Sequence, residues 1–182
     1  VKPFVGVHDD VPADATVFFG ELGAPAGIVL AEGINPRFGA LDTYWMAANV
    51  VDEAVRRIVA AGGRPDHIAG LDNFCWPDPV ASSETPDGEF KLAQLVRACR
   101  GLADLCRAYG VPCISGKDSM KNDSRRGGVK ISIPPTLLFS AVGVIDDVSR
   151  AMTLQPLQAG ELVYVVGLTD AELGGSEYAA YR

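Results

Sequence analysis

Two stretches of this chain carry apolar residues at helical spacing. Ala47, Val50, Val51, Ala54, Val55 and Ile58 form one stripe, and Leu92, Leu95, Val96, Cys99, Leu102 and Cys106 form the other, so the pattern predicts helices over residues 44–61 and 89–109. Asp42-Thr43 supplies a cap for the first and Gly62-Gly63 a stop, while Gly110 ends the second as a left-handed cap does. Short apolar runs predict strands at 16–19, 27–31, 67–71, 111–114, 136–145 and 162–166, with an edge element within 1–8 and a hairpin arm at 130–133. Three of these strands are expected to release the chain into polar loops, at 32–41, from Asp72 onward, and from Ser115 onward. Residues 170–182 read as one helix, and 81–88 as a turn-rich lid or linker.

With 182 residues, 48% of them hydrophobic, the chain can bury one good core and part of a second. We therefore expect a nucleotide-binding domain over 1–150, followed at 151–182 by a connector and the beginning of a further domain. Sixteen Lys and Arg against 23 Asp and Glu leave a net charge of −7, which argues against a nucleic-acid surface and leaves only local basic spots such as Arg125-Arg126. Cys75, Cys99, Cys106 and Cys113 show no C-x-x-C spacing, so reduced thiols and a cytoplasmic setting are expected rather than zinc or a disulfide framework. No apolar run approaches a membrane span, and the start, Val-Lys-Pro-Phe, lacks the form of a signal peptide. The absent initiator Met suggests a piece of a longer chain.

Candidate chemistry gathers at 115–119, Ser-Gly-Lys-Asp-Ser. Gly116 lets backbone approach a ligand, Lys117 offers a point charge for phosphate, Asp118 suits a metal or a lysine, and Ser119 presents a hydroxyl to anionic oxygens. A solvated strand exit explains the same residues. A Walker-type phosphate loop does not: it needs Gly where Val111 stands and Ser or Thr where Asp118 stands. Asp72 and Asn73 suit a nucleotide or a cation, with Phe74 and Trp76 as pocket walls, although Asp72 also suits a turn cap. Asn49, Glu53 and Arg57 stand one turn apart on the first helix, where a Glu53–Arg57 ion pair competes with a metal role.

Four ordered stretches, Tyr44-Trp45-Met46-Ala47-Ala48, Leu71-Asp72-Asn73-Phe74-Cys75-Trp76, Ser115-Gly116-Lys117-Asp118-Ser119-Met120 and Ile133-Pro134-Pro135-Thr136-Leu137-Leu138, resemble phosphoribosylformylglycinamidine synthase. The chain is similar to the second of that family's two nucleotide domains of the aminoimidazole ribonucleotide synthetase N-terminal type, and Leu173-Gly174-Gly175-Ser176-Glu177 resembles the opening of the domain that follows. The resemblance implies an α/β (α+β) fold in which a mixed sheet is backed by the two long helices. It implies an ATP-dependent ligase of purine biosynthesis that turns formylglycinamide ribonucleotide into the amidine with glutamine-derived ammonia.

Position by position, the resemblance assigns Asp72 and Gly116 to ATP together with Lys117, Ser119 to the substrate phosphate, and Glu53 to magnesium. Many relatives carry Asn where Lys117 and Arg57 stand and Asp where Gly33 stands, so Asp118 is the substitute ligand if Mg2+ binds here. No cysteine lies in a Gly-x-Cys-x-Gly elbow, and His8 and His67 fall outside matching motifs. The piece is therefore not expected to act alone: its implied partners are the remaining synthetase domains, a glutaminase domain or subunit and the ribonucleotide, with a homodimer when isolated. A non-catalytic or auxiliary-nucleotide domain of the same enzyme, or another synthetase or kinase of the superfamily, is the alternative. Every version requires Asp72, Gly116 and Ser119 to share a common rim.

Overall fold

A computed structural model describes residues 2–154 and 159–182; Val1 and part of the expected connector, 155–158, lie outside them. The central element is a five-stranded mixed sheet. Its strands are β3 (Thr16–Phe19), β4 (Gly27–Ile34), β9 (Thr136–Ile145), β5 (Ile68–Cys75) and β6 (Cys113–Ser119), in that spatial order. Neighbours run antiparallel except β5 and β6, which are parallel. Two ribbons stand apart from the sheet: β1 (Phe4–Val5) with β2 (Val11–Pro12), and β7 (Asp123–Arg126) with β8 (Val129–Ser132).

The two long helices span the expected ranges, but on the second Leu92, Val96 and Cys99 of the expected stripe are exposed, and Cys106 of that stripe is buried together with Ala98 and Gly101 instead. Helix α2 (Thr43–Ala60) starts at Asp42, whose carboxylate accepts the Tyr44 N–H at 2.8 Å and pairs with Arg97. Helix α3 (Gly88–Tyr109) ends at Gly110 with φ 67°, the left-handed conformation that glycine adopts without a Cβ penalty. The helices meet closely, Thr43 Oγ1 donating to the Gln94 carbonyl at 2.7 Å. Being the crossover between β5 and β6, α3 supplies the long connection that a parallel pair requires.

Burial along β4 alternates strictly, Val29 and Ala31 inward, Ile28, Leu30, Glu32 and Ile34 outward, the signature of a sheet with one covered face. Small residues bring α2 onto it. A Cβ on Gly33 would lie 2.0 Å from the Val50 carbonyl oxygen, and one on Gly70 would strike the Phe139 ring. Val50, Val51, Ala54, Ile58, Leu137 and Phe139 are fully buried in this layer.

Several expectations need correction. The expected loop 32–41 is instead the end of β4 followed by a short helix, α1 (Pro36–Leu41), with Pro at its start, where a missing N–H costs nothing. Strands β5 and β6 continue through the polar residues expected to be loops, because the β5–β6 and β5–β9 ladders extend to Cys75 and Ser119. The run 162–166 forms no strand; it has no pairing partner among the described residues and Val163 and Val166 are almost fully exposed. Of the expected helix 170–182 only α4 (Glu177–Tyr181) is helical, capped by Ser176 and tied to α1 by Arg37–Glu177 at 2.8 Å.

Candidate functional site

Since successive side chains of a strand point to opposite faces, the ladder registers decide what can meet. Asp72 pairs with Gly116, Asn73 with Lys117, Phe74 with Asp118, and Cys75 with Ser119. Phe74 is buried under the helices, so Asp72, Gly116 and Asp118 belong to the helix side. Asn73, Lys117 and Ser119 belong to the open side. The six residues are adjacent along two strands, yet the single rim expected for Asp72, Gly116 and Ser119 is divided by the thickness of the sheet.

On the helix side, the Asp72 carboxylate lies over the bare Gly116, where a Cβ would meet Asp72 Oδ1 at 2.6 Å. Burial pushes the Asp72 carboxyl above the usual carboxylate range and the neighbouring Asp118 charge adds to it. A carboxyl whose pKa is raised by folding favours the folded state only while protonated, so this charge lowers stability once the pH has risen through the raised pKa. Partial burial and the same two carboxylates push the nearby Cys99 thiol up as well. The arrangement is an acidic niche beside an exposed backbone, suited to hydrogen-bond donors such as ribose hydroxyls or an exocyclic amine.

On the open side, Lys117 Nζ donates to Ser119 Oγ, and Asn122 Nδ2 holds the Ser119 carbonyl at 2.8 Å. Asn73 Oδ1 is buried beside them without a hydrogen-bond partner. An acceptor in that state is costly unless something donates to it. A cation, a hydroxyl and an unmet acceptor together suit an anion that also carries a donor, such as a hydroxyl-bearing phosphate ester.

Glu53 lies elsewhere, on α2 against the end of β4, with β9 and β5 between that strand and β6. Both its oxygens are engaged: Oε2 accepts the Ile34 N–H at 3.1 Å and Oε1 takes Arg57 at 2.8 Å. Asn35 Nδ2 donates to Asn49 Oδ1 at 3.3 Å, and both line with Glu53 and Arg57 a cavity of about 370 Å³. With a guanidinium already on the carboxylate, Glu53 does not fit a magnesium ligand, and Asp118 on β6 is in no position to complete a shell with it. Among the described residues no three His, Cys, Asp or Glu side chains gather as a metal site.

Sequence reasoning passed over Trp76, beyond treating it as a pocket wall, and the cluster at the β7–β8 ribbon. Trp76 is fully buried, its Nε1 donating to the Lys91 carbonyl at 3.0 Å. Lys130 lies 3.4 Å from Asp123 and 3.8 Å from Asp78, while Lys91 reaches Ser132 at 3.1 Å. These contacts, with Lys130 donating to Thr85, hold the ribbon against the 78–88 segment and the start of α3. The signal in the sequence was the single acid, Asp123, among four basic residues over 121–130.

Comparison with known proteins places the chain. Residues 14–145 match the family "AIR synthase related protein, N-terminal domain". The chain is 37% identical over 158 residues to the phosphoribosylformylglycinamidine synthase subunit PurL of Alkaliphilus metalliredigens, covering 87% of this chain and 20% of that protein. It is 33% identical over 180 residues to the same subunit of Thermoplasma acidophilum, covering 98% and 22%. It thus spans about a fifth of the length of these relatives. Among solved structures, PurL of Thermotoga maritima complexed with ATP superposes with a TM-score of 0.60 at 25% identity, over 76% of this chain and 21% of that one. The same protein has been solved with ADP, with AMPPCP, with FGAR and as PurLQS.

Proposed function

Because residues 14–145 match the N-terminal domain of AIR synthase related proteins, the family to which the chain belongs, we propose that it is an ATP- and phosphate-binding half-site of an ATP-dependent ligase. That ligase converts formylglycinamide ribonucleotide to formylglycinamidine ribonucleotide with glutamine-derived ammonia. The observation that carries the reading is the open-side group, Lys117 bonded to Ser119 with the unmet acceptor of Asn73 on the residue paired with Lys117. In this reading Lys117 and Ser119 receive a phosphate, whereas Asp72 and the Gly116 backbone face the nucleotide. The ligand complexes of the Thermotoga protein support it. A cytoplasmic setting accompanies the reading, in keeping with four free thiols and the absence, among the described residues, of a helix long and apolar enough to cross a membrane.

Magnesium is not part of the site as we read it, since Lys117 brings its own positive charge to Ser119 and Arg57 already occupies the Glu53 carboxylate. Calorimetric titration with ADP is therefore expected to show binding of similar strength with and without magnesium. Asp72→Ala should weaken it about tenfold, the loss typical of a hydrogen bond to a charged group, whereas Lys117→Ala, on the opposite face, should weaken binding of the phosphate ester instead. No heat in either buffer would leave a purely structural domain. Binding that appears only with magnesium would restore a metal to the site.

The remaining partners follow from what the sheet leaves bare. Phe18, Ile28, Leu30, Ile34 and Leu71 on its open face are between about 36% and 52% exposed, more contiguous apolar surface than a free monomer normally shows. In the reading proposed here the neighbouring synthetase domain covers this face, residues 151–182 lead into the domain that follows, and the glutaminase joins the assembly elsewhere. Without those domains a second copy takes their place, so sedimentation is expected to give a dimer. A monomer persisting at high concentration would contradict that.

A further inference from the structure

The stop signal of α3 does more than end a helix. Gly110 turns the chain back with φ 67°, the Val111 N–H returns to the Cys106 carbonyl at 2.8 Å, and the Gly110 N–H reaches the Arg107 carbonyl at 3.2 Å, the paired bonds of a Schellman turn. Val111 is buried, and the Pro112 carbonyl accepts the Gly70 N–H at 2.8 Å, so the chain enters β6 at a fixed place. The consequence is that Cys113, first residue of β6, faces Cys106 with 3.7 Å between their sulfurs. Cys106 is buried and Cys113 exposed, and both are free thiols.

From this geometry we propose that Cys106 and Cys113 form an oxidisable dithiol, closed to an intrachain disulfide by exchange with a small-molecule disulfide. The exposed Cys113 is the entry point. As a thiolate, its proton lost to solvent, it attacks one sulfur of the small disulfide, forming a mixed disulfide and releasing one small thiolate, which takes up a proton. Cys106 then gives up its proton and attacks the Cys113 sulfur, forming the Cys106–Cys113 bond and releasing the second small thiol. Two protein thiols are oxidised and one small disulfide is reduced, with protons conserved overall.

The order of events has a physical basis. In the reduced chain the Cys106 thiol is pushed up to about 12, first by burial and then by the neighbouring Cys113 sulfur as charge and hydrogen-bond partner. Once Cys113 is capped it no longer carries a thiolate charge, so that part of the penalty on Cys106 disappears and the buried thiol becomes the better attacker. Closing 3.7 Å to a bonded sulfur pair asks for a shift of roughly 1.7 Å shared between two side chains. Cys75 and Cys99 have no sulfur opposite them in the same way and act as internal controls.

The test uses the native 182-residue chain, oxidised glutathione, alkylation of remaining thiols and tryptic mapping. Arg107 lies between the two cysteines, so trypsin separates peptides 101–107 and 108–117 unless a disulfide joins them. The expected result is this joined pair within one chain, released by dithiothreitol, with Cys75 and Cys99 alkylated. Cys106→Ser should stall with glutathione on Cys113, and Cys113→Ser should leave Cys106 reduced. The proposal is overturned if wild-type Cys113 retains glutathione as its end product, or if Cys113 joins Cys99 or another chain instead. The wild-type map decides even where the serine at 106 prevents folding.

Discussion

Gly33→Ala is expected to destabilise the chain by about 3 kcal/mol, the upper part of the range for overpacking a tight interior contact. Few single-methyl additions act so strongly. Here the added carbon would lie 2.0 Å from the Val50 carbonyl oxygen and 2.8 Å from its carbon, and the obstacle is helix backbone that no rotamer change can move aside. Relief requires α2 to lift from β4, which opens the contacts of Val29 and Ala31 with Val50, Val51 and Ala54 along the layer. Urea unfolding is the measurement; an unchanged midpoint would mean that α2 and β4 do not touch at this position. Gly116→Ala makes a useful contrast, because its new methyl meets the Asp72 carboxylate, a side chain free to swing away.

Trp76→Ala should cost roughly 3–5 kcal/mol, as removal of a fully buried aromatic does. The indole lies edge-on to Phe74 with ring centres 5.9 Å apart and donates to the Lys91 carbonyl. Its backbone also joins two strands and the turn after them: Trp76 N–H to the Ser119 carbonyl at 2.8 Å, and Asn122 N–H to the Trp76 carbonyl at 3.0 Å. Loss of the ring therefore loosens the end of β6 where Ser119 and Lys117 act. Trp76→Phe keeps most of the buried area and should cost near the 1 kcal/mol of one hydrogen bond beyond the lost volume. Far-UV circular dichroism during urea unfolding is the measurement, because both substitutions remove the buried Trp76 emitter and leave only the exposed Trp45. A Trp76→Ala chain with wild-type stability would show the core to be elsewhere.

The helices were legible almost to the residue because their ends carry chemistry of their own: a carboxylate on the Tyr44 N–H at one start and a left-handed glycine at one stop. The outer limits of the strands were not. Glu32, Asp72 and Lys117 look like residues leaving a sheet, but a strand with one open face tolerates polar side chains, and what keeps these positions extended is pairing with β9 and β5, partners distant in sequence. Misplacing those ends merged two sites. Read as loop, 116–119 converge on one ligand; read as strand, they alternate between faces. The Asn35-Pro36 helix start was visible in principle, whereas nothing local shows that 162–166, as apolar as any strand here, finds no strand partner among the described residues. Arg57 on Glu53 was readable from spacing, and the structure adds that the Ile34 amide takes the other oxygen.

Strand β9 lies between β4 and β5 although it is the last strand of the sheet to occur in the sequence. During synthesis, a chain that has grown only to Pro135 holds two unconnected ribbons, β3 with β4 and β5 with β6, separated by a gap one strand wide. Ile34 then has no cross-strand partner, and Asn73 has Lys117 on one side alone, until Leu138 arrives between them. The ribosome must therefore deliver the whole of 136–145 before the domain can close, and a truncated product is left with two raw edges that invite pairing between chains.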